Sequence, residues 1–330
     1  MTGEFDLIHY LLNKTTKNKP QFSPVKIGIG DDCAVISQNS KTDLIVTADM
    51  LVEDIDFRLE WTRAEFVGHK ALAVSLSDIA AMGAKPIWAL VSIGIPEKIW
   101  KTDFVEKFYA GWFDLAKKFN VELVGGDVSR TPDKIVVDSI VAGEAKKNRA
   151  VLRSGAKAGD LIFVTGKLGG AAAGLRLLES GFRLDSEKGS RKNLIHRQLA
   201  PNPQIEIGLK LSEKKSATAM FDLSDGLSSD LSHLCRASKV GARLVAEKIP
   251  LEKNLLQVLK QNEDVISFVL NGGEDFELLF TARAKDKNKL EKLFGKKITY
   301  IGQITNDVEK IELARNSKTA LLEPQGFRHF

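Results

Sequence analysis

Acidic residues, most of them close to a glycine, recur in five short segments of this 330-residue chain. Carboxylate oxygens are ligands that Mg²⁺ prefers, and glycine allows the backbone to approach a phosphate closely. Like charges that meet in a fold repel and take up protons unless a cation neutralises them. The pattern therefore predicts Mg²⁺ held against a nucleotide, and hence phosphoryl transfer. The segments are Gly30-Asp31-Asp32, Thr47-Ala48-Asp49, Gly125-Gly126-Asp127, Asp222-Leu223-Ser224-Asp225 and Gly272-Gly273-Glu274-Asp275.

Each of these segments, taken alone, also fits a simple turn, because Gly and Asp are favoured in turns for backbone reasons. Their joint occurrence with Asp78 favours one shared site over five unrelated turns. Most of the segments follow an apolar, β-like run, so we expect several of the carboxylates at strand ends around one spot.

Two sets of alternating strands and helices must position these carboxylates. In the first half, helices are predicted at Arg63–Met82 and Thr102–Phe119, with strands at Leu44–Thr47, Pro86–Ile95, Val121–Val124 and Lys134–Ala142. In the second half, helical segments alternate with strands at Asp160–Thr165, Ala217–Phe221, Gly241–Ala246, Phe276–Thr281 and Ile298–Ile304. The sequence thus predicts an α/β (α+β) protein built from two layered domains.

The boundary between the two halves is marked by composition. A basic, polar stretch at Lys146–Arg153 precedes the glycine-containing stretch Ser154–Asp160. We therefore predict an N-terminal α/β domain at residues 1–150 and a C-terminal α/β domain at residues 151–330.

Asp78 is predicted to lie on the apolar face of the first long helix. Val67, Ala71, Val74, Asp78 and Met82 follow one another at helical spacing. A buried charge without a partner is costly, so this carboxylate must meet a cation or a proton. Metal ligation and a satisfied structural carboxylate are the two interpretations.

The segment Thr165–Ala171, which reads Thr-Gly-Lys-Leu-Gly-Gly-Ala, follows a predicted strand and begins a helix. That geometry can direct backbone N–H groups at an anion such as phosphate. The segment matches neither the Walker A pattern nor GxGxxG. Close packing of the helix on the strand is the alternative role for these glycines.

Composition narrows the class of protein. With 43% hydrophobic and 28% charged residues, the chain can bury a full core. Its net charge of +5 comes from Lys and Arg interspersed with Asp and Glu, so we expect no nucleic-acid partner. No apolar stretch approaches the ~20 residues of a membrane span, so we expect no membrane association. The two cysteines, Cys33 and Cys235, lack a metal-binding spacing, which predicts buried free thiols in a reducing cytoplasm.

As an ordered set, six segments and the C-terminus resemble the thiamine-monophosphate kinase family, itself similar to the aminoimidazole ribonucleotide synthetase superfamily. The match spans nearly the whole chain. The segments are Gly28–Ala34, Thr47–Glu53, Lys70–Ala84, Val124–Asp127, Phe221–Leu227, Asn271–Glu277 and the terminal Gly326-Phe327-Arg328-His329-Phe330.

The resemblance implies ATP-dependent phosphorylation of thiamine monophosphate to thiamine diphosphate, the last step of thiamine diphosphate biosynthesis, with several Mg²⁺ ions. It also implies a homodimer formed through the N-terminal domain. No general base is expected, because the acceptor phosphate is mostly ionised at neutral pH. Carried onto matching positions, the metal ligands are Asp32, Thr47, Asp49, Asp78, Asp127, Asp222 and Asp225. The ATP contacts are Gly126, Asp127, Arg153 and Ser224, and the substrate contacts are Asp56, Glu274 and Phe327.

The chain departs from the family pattern at two places. Asp56-Phe57 stands where the family commonly has His-Phe, and Ala48 precedes Asp49 where a hydroxyl residue is common. Two other functions stay open at this point: another ATP-using reaction of the superfamily, such as a cyclo-ligase or selenophosphate synthetase, and non-catalytic binding of nucleotide or divalent cation. For Phe327, a hydrophobic anchor is the alternative to stacking on the cationic thiazolium ring.

Overall fold

The computed structural model describes residues 4–17, 20–259 and 261–327. Residues 328–330 of the C-terminal motif lie outside this range. The described chain forms two sheets with helices packed on them, which confirms the predicted fold class.

The first half is a six-stranded sheet with helices packed on it. Its strand order is β1-β2-β3-β6-β4-β5, and every neighbouring pair is antiparallel except β4 with β5. In chain order the elements are α1 (Glu4–Lys17), β1 (Val25–Ile27), β2 (Ala34–Ser37), β3 (Thr42–Val52), α2 (Ala64–Ala81), β4 (Lys85–Pro96), α3 (Glu97–Trp100), α4 (Phe104–Phe119), β5 (Glu122–Thr131) and β6 (Val136–Lys146).

The second half is a seven-stranded mixed sheet whose strand order is β13-β12-β9-β11-β7-β10-β8. Strand β8 is therefore an edge strand, and it lies against α2 of the first half. The elements are β7 (Leu161–Thr165), α5 (Gly170–Glu179), α6 (Gly189–Leu199), α7 (Ile205–Glu213), β8 (Ala219–Asp222), α8 (Leu227–Ser238), β9 (Gly241–Val245), α9 (Val265–Asn271), β10 (Leu278–Ala282), α10 (Lys287–Phe294), β11 (Ile298–Thr305), β12 (Ile311–Arg315) and β13 (Lys318–Leu321).

Helix α2 is the central element of the molecule. Most of its residues are buried, because β3 and β6 cover one side, α4 a second, and α7 and β8 of the second half a third. Gly68 and Gly111 allow α2 and α4 to cross closely. A Cβ on Gly68 would lie 1.9 Å from the Phe108 carbonyl oxygen, and one on Gly111 would lie 1.9 Å from that of Glu65. The apolar spacing that predicts α2 thus marks one of several buried faces.

Two acidic segments lie inside strands rather than at strand ends. Strand β3 continues through Asp49, and β5 continues through Gly125, Gly126 and Asp127. The expectation of carboxylates at strand ends is therefore wrong for these two segments and holds for Asp222, the last residue of β8. The apolar run ends early in the sequence, but the backbone ladder needs no apolar side chain to continue.

Both cysteines, Cys33 and Cys235, are buried free thiols, which confirms that prediction. Among the helices that the structure describes, none combines the length and the apolar character that a membrane span requires.

Candidate active site

Three carboxylates from distant parts of the chain meet between the two halves. Asp32, Asp78 and Asp222 each offer an oxygen, and these oxygens lie within 4.8 Å of one another. We call this group the acidic triad. Asp32 precedes β2, Asp78 lies near the C-terminal end of α2, and Asp222 ends β8. The triad therefore forms only when the edge strand of the second sheet packs on α2.

Asp32 is held by one guanidinium. Arg153 donates from Nη2 at 2.8 Å and from Nε at 3.2 Å to Oδ1 of Asp32, and its guanidinium lies 4.0 Å from the centre of the Phe221 ring. The other oxygen of this carboxylate, Oδ2, is buried and has no hydrogen-bond partner within the described part of the chain. Such an orphaned acceptor is costly unless something else coordinates it.

Hydroxyl groups hold the remaining carboxylates. Thr47 of β3 donates to Oδ2 of Asp78 at 2.5 Å. Two serines of α2 donate to carboxylates of the strands packed on that helix. Ser75 donates to Asp49 of β3 at 2.7 Å, and Ser77 donates to Asp222 of β8 at 2.7 Å. These bonds fix the carboxylates without neutralising them.

Burial raises the pKa of Asp32, Asp49, Asp78 and Asp222. It raises the pKa of Asp222 to about 8, with the charge of Asp32 adding to the effect. It raises the pKa of Asp49 to about 6 and that of Asp78 well above its ordinary value, where Asp49 and Asp222 contribute further. Burial also raises the pKa of Asp32, although the charge of Arg153 opposes this. The single positive charge of Arg153 does not offset the effect of burial on these four carboxyls.

The acidic triad fits Mg²⁺. Hard divalent cations take oxygen ligands, commonly a few carboxylates completed by water and substrate phosphate. The triad supplies closely spaced carboxylate oxygens, the orphaned Oδ2 of Asp32, and a shortage of positive charge. Asp49 and Thr47 stand next to it as additional oxygen donors.

A cavity of about 340 Å³ adjoins the triad through Asp49. Ser224 and Asp225, from the loop after β8, line the same cavity, and so do Asp56, Glu274 and Phe327. The remaining walls include apolar and aromatic side chains, among them Ile55, Trp61, Phe66, Leu175 and Leu178. The structure thus brings all three predicted substrate contacts to one cavity beside the acidic triad.

Glu274 is anchored at the far end of this cavity by residues of α2 and α6. Lys70, a buried residue of α2, places Nζ 2.5 Å from Oε1 of Glu274 and donates to the backbone oxygen of Asp56 at 2.9 Å. Gln198 of α6 donates from Nε2 to Oε2 of Glu274. The Asp56 carboxylate in turn accepts from the backbone N–H of Val52 at 2.7 Å.

The loop that carries Glu274 has an unusual backbone. Glu274 has φ +63° and Phe276 has φ +48°, although neither is glycine. Each such residue costs of order 1–3 kcal/mol, and residues of this kind cluster at functional sites. Hydrogen bonds to the loop after β8 hold this shape: Glu274 N donates to Ser224 O at 2.7 Å, and Phe276 N donates to Leu223 O at 2.8 Å.

The C-terminal segment is tied to the loop after β8 and to α8. The backbone N–H of Gly326 donates to Ser229 Oγ at 3.0 Å, and that of Phe327 donates to the Asp225 carbonyl at 3.1 Å. The Phe327 side chain is 52% exposed and lines the cavity. An aromatic side chain held in this way is available to a ligand.

Gly126 and Asp127 lie elsewhere on the surface. Across the first sheet Asp49 pairs with Ser139, Ser139 with Val91, and Val91 with Gly126. Because neighbouring strands lie about 4.8 Å apart, Gly126 is about 14 Å from Asp49. Asp127 is exposed on β5, in the next cross-strand row, so its side chain points to the opposite face of the sheet. The structure brings neither residue to the acidic triad.

The glycine-rich segment that begins α5 receives an internal anion. The Asp275 carboxylate accepts from the backbone N–H of Gly169 at 2.6 Å and from that of Ala171 at 3.2 Å. A Cβ on Gly170 would lie 2.3 Å from Nε of Arg197, so a larger residue there would have to displace that side chain. The N-terminus of α5 thus binds the carboxylate of Asp275. Phosphate binding is one of the two roles that the sequence leaves open for this segment.

Several side chains of the site carry no role in the sequence analysis. Ser75 and Ser77 lie within the Lys70–Ala84 segment. Their isolated hydroxyl groups in a mainly apolar run are the feature of the sequence that could have identified them. Lys70 is a lone charge in the same run. Gln198 gives no signal, because its partner Glu274 is distant in the chain.

Comparisons with known proteins agree over the whole chain. Residues 30–145 match the family model described as AIR synthase related protein, N-terminal domain, and residues 157–313 match the C-terminal domain of the same family. The thiamine-monophosphate kinase of Bacillus subtilis is 38% identical over 99% of each chain, and that of Escherichia coli K12 is 36% identical over 99% of this chain and 98% of its own. The solved structure of AaThiL complexed with AMPPCP and TMP superimposes with a TM-score of 0.85 at 35% identity, covering 99% of this chain and 97% of that one.

Proposed function

The chain belongs to the thiamine-monophosphate kinase family, and we propose that it transfers the γ-phosphoryl group of ATP to thiamine monophosphate, giving thiamine diphosphate and ADP. One observation carries the assignment to residues: the acidic triad adjoins, through Asp49, the cavity that also contains Glu274 and Phe327. Groups suited to a divalent cation therefore lie beside a cavity suited to an organic substrate, which supports the proposal.

The chemical step needs no general base. An oxygen of the thiamine monophosphate phosphate attacks the γ-phosphorus of ATP in line. The new P–O bond forms while the bond to the bridging β–γ oxygen breaks, and ADP leaves with that electron pair. The attacking phosphate has a second pKa of about 6, so at neutral pH it is mostly ready to react.

The two reactants are both polyanions, so the site must supply positive charge. Bound Mg²⁺ screens the phosphates and stabilises the charge that spreads onto the transferred group. Asp32, Asp78 and Asp222 are proposed to hold the ion, with Asp49, Asp225 and Thr47 as neighbouring oxygen donors. Ser75 and Ser77 keep two of these carboxylates in position.

The organic part of the substrate is proposed to occupy the apolar portion of the cavity. An aromatic face attracts a cation, and the half-exposed ring of Phe327 is accessible to the thiazolium group. Arg153 and Ser224 are proposed as contacts to ATP, because a guanidinium offers forked donors to phosphate oxygens.

A homodimer is proposed at the edge of the first sheet. Strand β5 is an edge strand whose residues 124–130 are all exposed, with Val124 at 51% and Val128 at 55%. A long exposed edge with apolar side chains is a template for pairing with another chain. A second copy seated along β5 would cover this edge and place Gly126 and Asp127 at the interface.

Three other expectations from the sequence remain predictions. They are the domain division at residue 150, the role of Asp127 in metal and ATP binding, and a cytoplasmic location. The free buried thiols support the last of these.

The test is an ATP and Mg²⁺ incubation with thiamine monophosphate, thiamine, or an aminoimidazole ribonucleotide precursor, with products resolved by chromatography. We expect ADP and thiamine diphosphate in equal amounts, and only with thiamine monophosphate. Asp78→Asn should abolish both products, whereas the exposed Asp133→Asn should retain them. Turnover of the ribonucleotide precursor would indicate a cyclo-ligase, and binding of ATP without ADP release would indicate a non-catalytic protein.

A further inference from the structure

Gln198, a residue that lines the cavity, carries a buried hydrogen-bond acceptor without a partner in the described part of the chain. The residue is 5% exposed and lines the cavity from α6. Its Oε1 is buried and has no hydrogen-bond partner among the residues that the structure describes. An unsatisfied buried acceptor is rare in folded proteins and calls for a donor.

The neighbours of Gln198 fix which atom of its amide is left without a partner. A carboxylate accepts hydrogen bonds and cannot donate when ionised, so the amide of Gln198 must turn its NH₂ towards Glu274. Lys70 places Nζ 2.5 Å from the other oxygen of Glu274, so both neighbours of this carboxylate are hydrogen-bond donors. The chain Lys70–Glu274–Gln198 therefore leaves Oε1 as the amide atom without a partner among the described residues.

Helix α2 sets the distance between this acceptor and the metal-binding end of the site. Asp78 of the acidic triad and Lys70 lie on the same helix, eight residues and hence about 12 Å apart along its axis. Glu274 and Gln198 lie at the Lys70 end. A substrate that places its phosphate near the triad and its other end near Gln198 must be elongated.

Resting on the proposed function, we infer that Oε1 of Gln198 accepts a hydrogen bond from the exocyclic amino group of the substrate's pyrimidine ring and thereby selects aminopyrimidine over oxopyrimidine substrates. Apart from a protonated phosphate, that amino group is the hydrogen-bond donor of thiamine monophosphate. An oxo group at the same ring position would face Oε1 with a second acceptor. The site would then contain two acceptors opposed to each other and no donor between them.

The inference is tested by comparing thiamine monophosphate with its 4-oxo analogue, oxythiamine monophosphate, as phosphoryl acceptors. The wild-type enzyme should prefer the amino substrate by at least about tenfold in kcat/KM, as expected when a buried polar group loses its partner. Gln198→Met should lower kcat/KM for thiamine monophosphate about tenfold and reduce the preference to near unity, with KM for ATP unchanged. Gln303→Met, the same change on the exposed side of β11, should retain wild-type selectivity.

Each outcome decides between the assignments. Equal use of both substrates by the wild-type enzyme overturns the inference while leaving the kinase function standing, and this result needs no variant to fold. An equal loss for both substrates in Gln198→Met, with selectivity retained, shows a structural role and also overturns it. Failure of the wild-type enzyme to phosphorylate thiamine monophosphate refutes the proposed function and the inference with it.

Discussion

Replacing Asp222 with asparagine should stabilise the metal-free protein at alkaline pH. Burial raises the pKa of this carboxyl from an ordinary value of 3.8 to about 8. Below about pH 4 the group is protonated in both the folded and the unfolded chain, so it does not affect stability. Between pH 4 and pH 8 the unfolded chain releases the proton that the folded chain retains, and the free energy of unfolding therefore falls as pH rises.

The size of the effect follows from the pKa. A tenfold change in proton affinity corresponds to about 1.4 kcal/mol, so a rise of about four decades gives an upper limit of about 6 kcal/mol at pH 8. Relaxation of the neighbouring carboxylates and entry of water reduce this, and we expect about 2 kcal/mol. Asparagine keeps an oxygen that can accept from Ser77, so the substitution removes the charge and preserves the packing.

Thermal unfolding in EDTA at pH 5 and pH 8 measures the prediction. At pH 8 the Asp222→Asn variant should unfold several degrees above the wild type, and at pH 5 the difference should shrink. Added Mg²⁺ should raise the unfolding temperature of the wild type and have little effect on the variant, because the variant lacks one ligand. Asp133→Asn, at an exposed position, should behave as the wild type throughout. A variant that is less stable than the wild type at pH 8 in EDTA would refute the reasoning.

Three further predictions concern the substrate, the metal and the dimer. Phe327→Ala should raise KM for thiamine monophosphate roughly tenfold with little change in KM for ATP, in steady-state kinetics; equal losses for both substrates with a lower unfolding temperature would favour the anchor role. Asp49→Asn should lower turnover at least about a hundredfold, and a near-normal rate at saturating Mg²⁺ would contradict its metal assignment. Light scattering of the native chain should give twice the monomer mass, and Val128→Lys should give the monomer mass; an unchanged dimer would place the interface elsewhere.

The sequence predicts the long elements well because they have strong periodic signals. Helices α2 and α4 and strands β4 and β7 lie close to their predicted ranges, whereas β3 extends well beyond the predicted Leu44–Thr47. The secondary-structure predictions are wrong where the local residue types favour one structure and pairing with a distant strand imposes another. Gly125 and Gly126 look like a turn, but they lie in β5, where a Cβ on Gly126 would be 1.8 Å from the Val91 carbonyl oxygen. That glycine is required by the neighbouring strand, which no local pattern reveals.

The site shows the same division between local and tertiary information. Asp78 is recognisable because a carboxylate on an apolar helix face is unusual, and Asp32 and Asp222 are recognisable because their acidic segments occur together as a set. The pairing of Lys70 with Glu274 joins the two halves of the chain, and it depends on how β8 and α6 pack on α2. Interactions of this kind follow from packing and have no signature in one sequence.

Helix α2 carries an amine at Lys70 and a carboxyl at Asp78 within its largely buried length. Residues of the second half meet each of them: Glu274 pairs with Lys70, whereas Asp222 adds a second carboxyl beside Asp78. Docking of the second half is therefore favourable at the Lys70 end and costly at the Asp78 end as long as no cation is bound. A cation at the acidic triad would remove that cost and hold the two halves together. The same contacts that join the halves thus assemble the site, and binding of Mg²⁺ and packing of β8 on α2 must be coupled.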